Sequence, residues 1–191
     1  MIPGKQINLW AIEKGDLLQN YIWANDPEIR AMAGMTPFPR SAWDVDRWYE
    51  TLQGNPNVKA FAIKTTEGAY IGNVEIGDIE WRSRTGEIGI IIGDRKSRGR
   101  GLGKEAVIMA ARFAFEEMGL HRLYAKVLSF NQGACNLFKS IGFIKEGVER
   151  EAFYIWVGYR DVVIYGMLIG EFLEKYPYKP LEDLEESPAV Q

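Results

Sequence analysis

RGRGLGKEAVIMAARFAFEEM, residues 98–118, decides how the chain is read. Glycines stand at 99, 101 and 103. Directly after them Ala106, Val107, Ala110, Ala111, Ala114 and Phe115 recur at roughly i, i+3, i+4 spacing. That period puts them on one stripe of an amphipathic helix. Immediately upstream, EIGIII (residues 87–92) is a β-branched run of the kind that forms a buried strand. The unit is strand, glycine-rich turn, helix. Its physical consequence is an anion site. The first turn of a helix carries N–H groups without partners and is the positive end of the macrodipole. Glycines let the backbone approach a phosphate and supply φ > 0 where it is needed. Arg95, Lys96, Arg98 and Arg100 add positive charge, so a diphosphate is the natural ligand.

Two common diphosphate motifs fail here. The dinucleotide fingerprint wants a third glycine where Lys104 stands. The P-loop wants Ser or Thr after Gly103-Lys104, where Glu105 stands, and a glycine where Arg98 stands. What remains is Arg98-x-x-Gly101-x-Gly103, behind a strand and opening a helix. It resembles the acyl-CoA pyrophosphate loop of the GNAT N-acetyltransferase superfamily.

Composition narrows the alternatives. A chain of 191 residues is long enough for one domain with a real core. A net charge of −3 offers no general attraction to nucleic acid or an anionic membrane, and mildly suits a cationic acceptor such as an amine. One cysteine excludes an internal disulfide framework, and with one histidine it cannot build a Cys/His metal cluster, so no metal is expected. With no secretory pattern at the start and no apolar run approaching 18 residues, a cytoplasmic protein is expected.

Outward from the central unit, residues 8–12 read as a first strand. Helices are predicted after Gly15-Asp16, after Asp26-Pro27 with proline at the first helical position, and after Ser41-Ala-Trp-Asp44, a capping box with Asp in the usual Glu place. Residues 34–39 are a loop. Residues 60–64, 69–80 and 87–92 form an antiparallel meander with turns at 66–68 and 83–86. After the long helix, stopped by Gly119, come a strand at 122–128, a helix at 131–141 closed by Gly142, and strands at 143–149 and 161–169. The aromatic-rich residues 153–159 between them turn at Gly158. The chain divides into a domain over 1–170 and an acidic, proline-containing extension over 171–191. The fold class is mixed α/β (α+β): a central, mostly antiparallel sheet with helices on both faces, in which 87–92 and 122–128 can be parallel neighbours across the intervening helix.

The resemblance to GNAT acetyltransferases extends from about residue 6 to 170. Beyond the loop it is carried by Glu105-Ala106, Gly119-Leu-His-Arg-Leu, Asn131-x-x-Ala134, Gly142-Phe143 and Gly158-Tyr-Arg-Asp161. Trp23-x-Asn25-Asp26-Pro27-Glu28 looks like the RimJ/RimL-like branch and its spermidine-acetyltransferase relatives. The resemblance implies transfer of acetyl from acetyl-CoA to a primary amine: a protein N-terminus, a polyamine or a small amine. It also implies a splayed parallel strand pair, with pantetheine in the gap against backbone groups of Ile90, Ile91 and Ile92. The diphosphate would lie on Arg98, Gly99, Arg100, Gly101, Leu102 and Gly103, with Asn131 near the cofactor. Related proteins are often dimers, which leaves a homodimer open.

An amine must lose a proton to attack, which suits a carboxylate base. Glu87, at the start of the splayed strand, is the first candidate, and Glu75 on the preceding strand is the second. Glu75, Met35, Phe38 and Trp156 are candidates for the acceptor site, and Tyr154 and Ser129 for the acid. The position where many family members carry a proton-donating tyrosine is Phe138. Phenylalanine has no proton to give, and that keeps a non-catalytic acyl-CoA sensor as the alternative. Each residue has a plainer reading beside the functional one. Asn131 can simply cap its helix, Glu105 can simply favour the helix dipole, and Cys135 reads as packing.

Overall fold

The computed structural model describes residues 1–177. Two short strands, β1 (Ile2–Pro3) and β2 (Ile7–Ala11), open the chain. Three helices follow: α1 (Leu17–Asn25), α2 (Pro27–Met32) and α3 (Ala42–Gly54). The meander is β3 (Lys59–Thr65), β4 (Tyr70–Glu80) and β5 (Thr85–Ile92). Helix α4 (Leu102–Glu116) leads to β6 (Arg122–Leu128), and α5 (Gln132–Ile141) leads to the hairpin of β7 (Ile144–Ile155) and β8 (Gly158–Leu168). Helix α6 (Ile169–Lys175) follows. Among the described residues the strands make one eight-stranded sheet in the order β1-β2-β3-β4-β5-β6-β8-β7.

The local start signals act as expected. Asp26 Oδ1 accepts from the backbone N–H groups of Glu28 (2.9 Å) and Ile29 (3.2 Å) and opens α2. Ser41 and Asp44 cap α3 reciprocally, at 3.1 and 2.8 Å. Helix α4 buries its predicted stripe, Ala106, Val107, Ala110, Ala111, Ala114 and Phe115, against Ile76, Ile88 and their neighbours in the sheet. Four of those six are alanines, so the helix lies close on the strands, with little room for a larger residue.

Among the described residues the only parallel pair in the sheet joins β5 to β6, and it is short. Thr85 faces Arg122, Gly86 faces Leu123 and Glu87 faces Tyr124, and there the pairing stops. Beyond that point β5 stays with β4 as far as Ile92, and β6 stays with β8 as far as Leu128. The two strands splay.

Two expectations are corrected. The turn expected at Gly158, between strands ending at 149 and starting at 161, lies elsewhere: β7 and β8 run on to Ile155 and Gly158, and Trp156 and Val157 alone turn the chain, at φ 50° and 57°. Two residues with positive φ match the strand twist, but neither is one of the residue types that advertise such a turn. The boundary at 170 also cuts through packed structure. Phe172 on α6 is fully buried, 5.1 Å from the Phe115 ring, and Tyr176 Oη donates to the Ile141 carbonyl (3.0 Å). The rest of the proposed extension, residues 178–191, lies outside the described residues.

Candidate active site

A cavity of about 460 Å³ fills the splay between β5 and β6 and is closed on one side by α1, α2 and α3. The β4–β5 ladder decides which backbone groups face the gap. Gly93 N–H donates to the Ile71 carbonyl (2.9 Å), and antiparallel ladder bonds alternate along a strand. The backbone groups of Ile88, Ile90 and Ile92 therefore point away from β4. Ile92 spends its carbonyl on Arg98 Nε (2.9 Å). Ile91, opposite Asn73, turns its backbone to β4 and lends the cavity only its side chain. Of the three expected backbone partners, Ile90 lies past the last β5–β6 pair with its N–H and carbonyl facing open space.

At the end of β5 the glycine loop turns the chain into α4. Gly99 and Gly101 sit at φ 72° and 83°, a region costly for other residues, and a Cβ built on either would meet nothing within 4 Å. Gly101 is the N-cap of α4 and offers no side chain to the first-turn N–H groups. Leu102 begins that turn and is buried. Gly103 lies flat against the strand, where an added Cβ would be 3.5 Å from side-chain carbons of Ile90 and Ile92. The arginines are already engaged. Arg98 pairs with Glu28 (2.6 Å), and Arg95 pairs with Asp26 (3.1 Å) and Glu28 (2.9 Å), while Arg100 is exposed beside them. Glu105 proves structural: its Oε1 accepts from the backbone N–H groups of Lys5 (2.5 Å) and Gln6 (3.0 Å) and sews the first hairpin to α4.

On the other side of the gap two carboxylates share the cavity. Glu75 on β4 is opposite Gly89, and Glu87 holds the last paired position of β5. Burial raises the pKa of both, because it penalises the ionised form, and the charge of Asp78 raises both further. For Glu87, Glu75 and Glu149 add to the rise and Lys126 opposes it. Carboxylates moved toward neutrality in a cleft are suited to accept a proton. Facing them are Trp23, Met32, Met35 and Trp48 from the helical side. Trp23 is buried against Tyr70, with ring centroids 4.9 Å apart. Asn20 and Asn73 close the end of the cavity, bonded to each other (2.6 Å) and each to the Tyr70 hydroxyl (2.8 and 2.5 Å).

Asn131 has a double task. Its Oδ1 accepts from Ala134 N–H (3.1 Å) and caps α5, while its Nδ2 donates to the Met32 carbonyl (2.9 Å) and ties α2 to α5 at the cavity wall. Phe138 lines the cavity and packs edge-on against Phe143.

The structure thus brings Glu75, Glu87, Ile90, Ile91, Met35 and Asn131 to one cavity. Four candidates lie elsewhere. Phe38 is 74% exposed. Tyr154 packs on Tyr159 at the surface, and Trp156 packs on Phe130. Ser129 spends its backbone N–H on the Asp161 carbonyl and its own carbonyl on Gln132, off the cavity wall. Their residue types suited the roles, but the hairpin carries Tyr154 and Trp156 outward. Sequence reasoning missed Asn20, Trp48, Asn73 and Lys126, all of which line the cavity. Strand alternation could have found Lys126, since it shares a face with Tyr124, the partner of Glu87.

An acetyltransferase (GNAT) domain model matches residues 6–144. The spermidine N(1)-acetyltransferase of Vibrio cholerae is 27% identical over 170 residues, covering 89% of this chain and 97% of that one. An uncharacterized N-acetyltransferase, p20, of Bacillus licheniformis is 30% identical over 165 residues, 84% of this chain and 90% of that one. Among solved structures, the Vibrio cholerae spermidine N-acetyltransferase in complex with CoA and spermine aligns with a TM-score of 0.84 at 27% identity, covering 89% of this chain and 99% of that one.

Proposed function

The chain belongs to the GNAT acetyltransferase family, and on that premise we propose that its acceptor is a cationic aliphatic amine that docks its reacting nitrogen between Glu75 and Glu87. The enzyme transfers acetyl from acetyl-CoA to an amine. The carrying observation for the acceptor is that these two half-buried carboxylates, on neighbouring strands, open into the same cavity as the splayed edge of β5. The sensor alternative rested on Phe138, and relatives that are N-acetyltransferases lend it no support.

Bound acetyl-CoA supplies an activated acetyl thioester. The uncapped first turn of α4, reached over Gly99, Gly101 and Gly103, takes the diphosphate with backbone N–H groups. Ile90 offers its N–H to the arm in the gap, where a donor aimed at the carbonyl oxygen stabilises the charge that develops there. Glu87 takes the ammonium proton of the acceptor, so that its nitrogen can form the C–N bond as the C–S bond breaks, and the second proton shed by that nitrogen passes to water. Phe138 has no proton to offer, so the sulfur leaves as thiolate, which a thiol of pKa about 8.5 permits near neutral pH.

Thiol release from acetyl-CoA, measured across peptides, polyamines, amino sugars, amino acids and simple alkylamines, tests the reading. Aliphatic amines should turn over. Glu87→Gln should lower kcat by about a hundredfold or more, the usual worth of a positioned base. It should also abolish the wild-type loss of rate as pH falls through the raised pKa of Glu87. Turnover confined to peptides or amino sugars would refute the acceptor, and an unchanged kcat in Glu87→Gln would refute the base.

A further inference from the structure

Lys126 is a cation set into the acidic side of the cavity. It stands on β6 two residues past Tyr124, the partner of Glu87, where the strands have begun to part. Its Nζ pairs with Glu149 Oε1 at 3.2 Å, and its charge also acts on Glu87. Glu75, Asp78, Glu87 and Glu149 all bear on this region, and Lys126 is the cation acting on Glu87. Both members of the Lys126–Glu149 pair are roughly half exposed, 45% and 41%, which places them at the mouth rather than the floor. Arg40, the other lining cation, acts on Asp44 of α3 instead.

We propose that Lys126 is a specificity-determining residue. Its ε-ammonium occupies, between Glu87 and Glu149, the place that a second ammonium of a longer acceptor would take, and so biases the site toward amines with a single cationic nitrogen. This rests on the acceptor reading above. A monoamine needs only the inner carboxylates Glu75 and Glu87. A diamine or triamine extends its next ammonium along the cavity toward the mouth, where it meets a like charge instead of a free carboxylate. Either the second ammonium stays in water, or it must displace Lys126 from Glu149. An exposed pair yields to competition, so the effect is a graded preference and not a block.

The test compares kcat/KM for butylamine, 1,4-diaminobutane and spermidine in wild type, Lys126→Met and Lys126→Arg. Methionine keeps the aliphatic length without the charge, and arginine restores the charge. Lys126→Met should raise the spermidine-to-butylamine ratio by about tenfold, as replacing a like-charge contact by an opposite one at partly solvated range implies. Lys126→Arg should keep the wild-type ratio, and thermal unfolding of both variants should match wild type. An unchanged ratio in Lys126→Met, with all amines still acetylated, overturns the role of Lys126 alone. A wild type that acetylates none of the three overturns the acceptor reading and the proposal with it.

Discussion

Gly93→Ala tests whether the wall of the cavity is as closely packed as the structure makes it. A Cβ built on Gly93 would lie 2.1 Å from Cδ2 and Cε2 of Trp23 and 2.5 Å from its Cγ. Carbon atoms in contact need about 3.5–4.0 Å, so the indole would have to retreat by more than about 1 Å. It has little room to do so. Trp23 is 7% exposed, its ring packs on Tyr70, and Tyr70 is held by Asn20 and Asn73. Gly93 is not among the positive-φ glycines, so the effect is steric and not a matter of backbone strain. Overpacking of this kind costs about 1–3 kcal/mol. In a chain of this length that lowers Tm by about 2–12 °C. The methyl also pushes Trp23 into the acceptor side, so KM for the amine should rise while KM for acetyl-CoA holds. The control is Trp23→Ala, which is destabilising by itself but vacates the space. In that background Gly93→Ala should cost nothing or add stability, giving a coupling energy as large as the original penalty. Urea and thermal denaturation of the four proteins would measure it. If Gly93→Ala changes stability by less than about 0.5 kcal/mol, or costs the same in both backgrounds, the packing account is refuted.

Two further expectations concern the loop and the buried charge. Gly101→Glu adds about 1–2 kcal/mol of left-handed backbone strain and a carboxylate where a diphosphate should sit, so CoA affinity measured by titration calorimetry should fall far more than in Gly101→Ala, which carries the strain alone; equal losses would place the diphosphate elsewhere. For Glu75, burial raises the folded-state pKa above the unfolded value, so the folded chain binds the extra proton and stability falls as pH rises through that window. Glu75→Gln should therefore raise Tm near pH 8, with the gain vanishing below about pH 4, where the carboxyl is neutral in both states; a gain independent of pH would contradict the assignment.

Much of the architecture was legible along the chain because it is set by near neighbours. Asp26-Pro27, Ser41 with Asp44, and Gly142 start and stop their helices through bonds spanning a few residues. The glycines at 99 and 101 announce positive φ before a periodic stripe, and a β-branched run announces β5. Those local rules were enough to set the glycine loop between β5 and α4 and to put Glu75 and Glu87 on strands; the family came from the resemblance that the ordered motifs carry. They failed where tertiary packing outweighed composition: acidic neighbours masked the buried Phe172, and Trp156-Val157 turned without a turn residue.

The cavity wall, by contrast, exists only once distant elements meet. Trp23 and Trp48 come from helices, Asn73 from β4 and Lys126 from β6, and nothing in their spacing joins them. The splay itself is a contest for partners. Past Glu87 and Tyr124, β5 keeps its hydrogen bonds to β4 and β6 keeps its own to β8, so the edges between them are left facing open space. Which residues alternate onto one face can be counted along a strand, because the period is covalent geometry. Which strand takes which partner, and where a pair gives up, depends on the pairing of the whole sheet, and that is where the gap that holds the candidate site was decided.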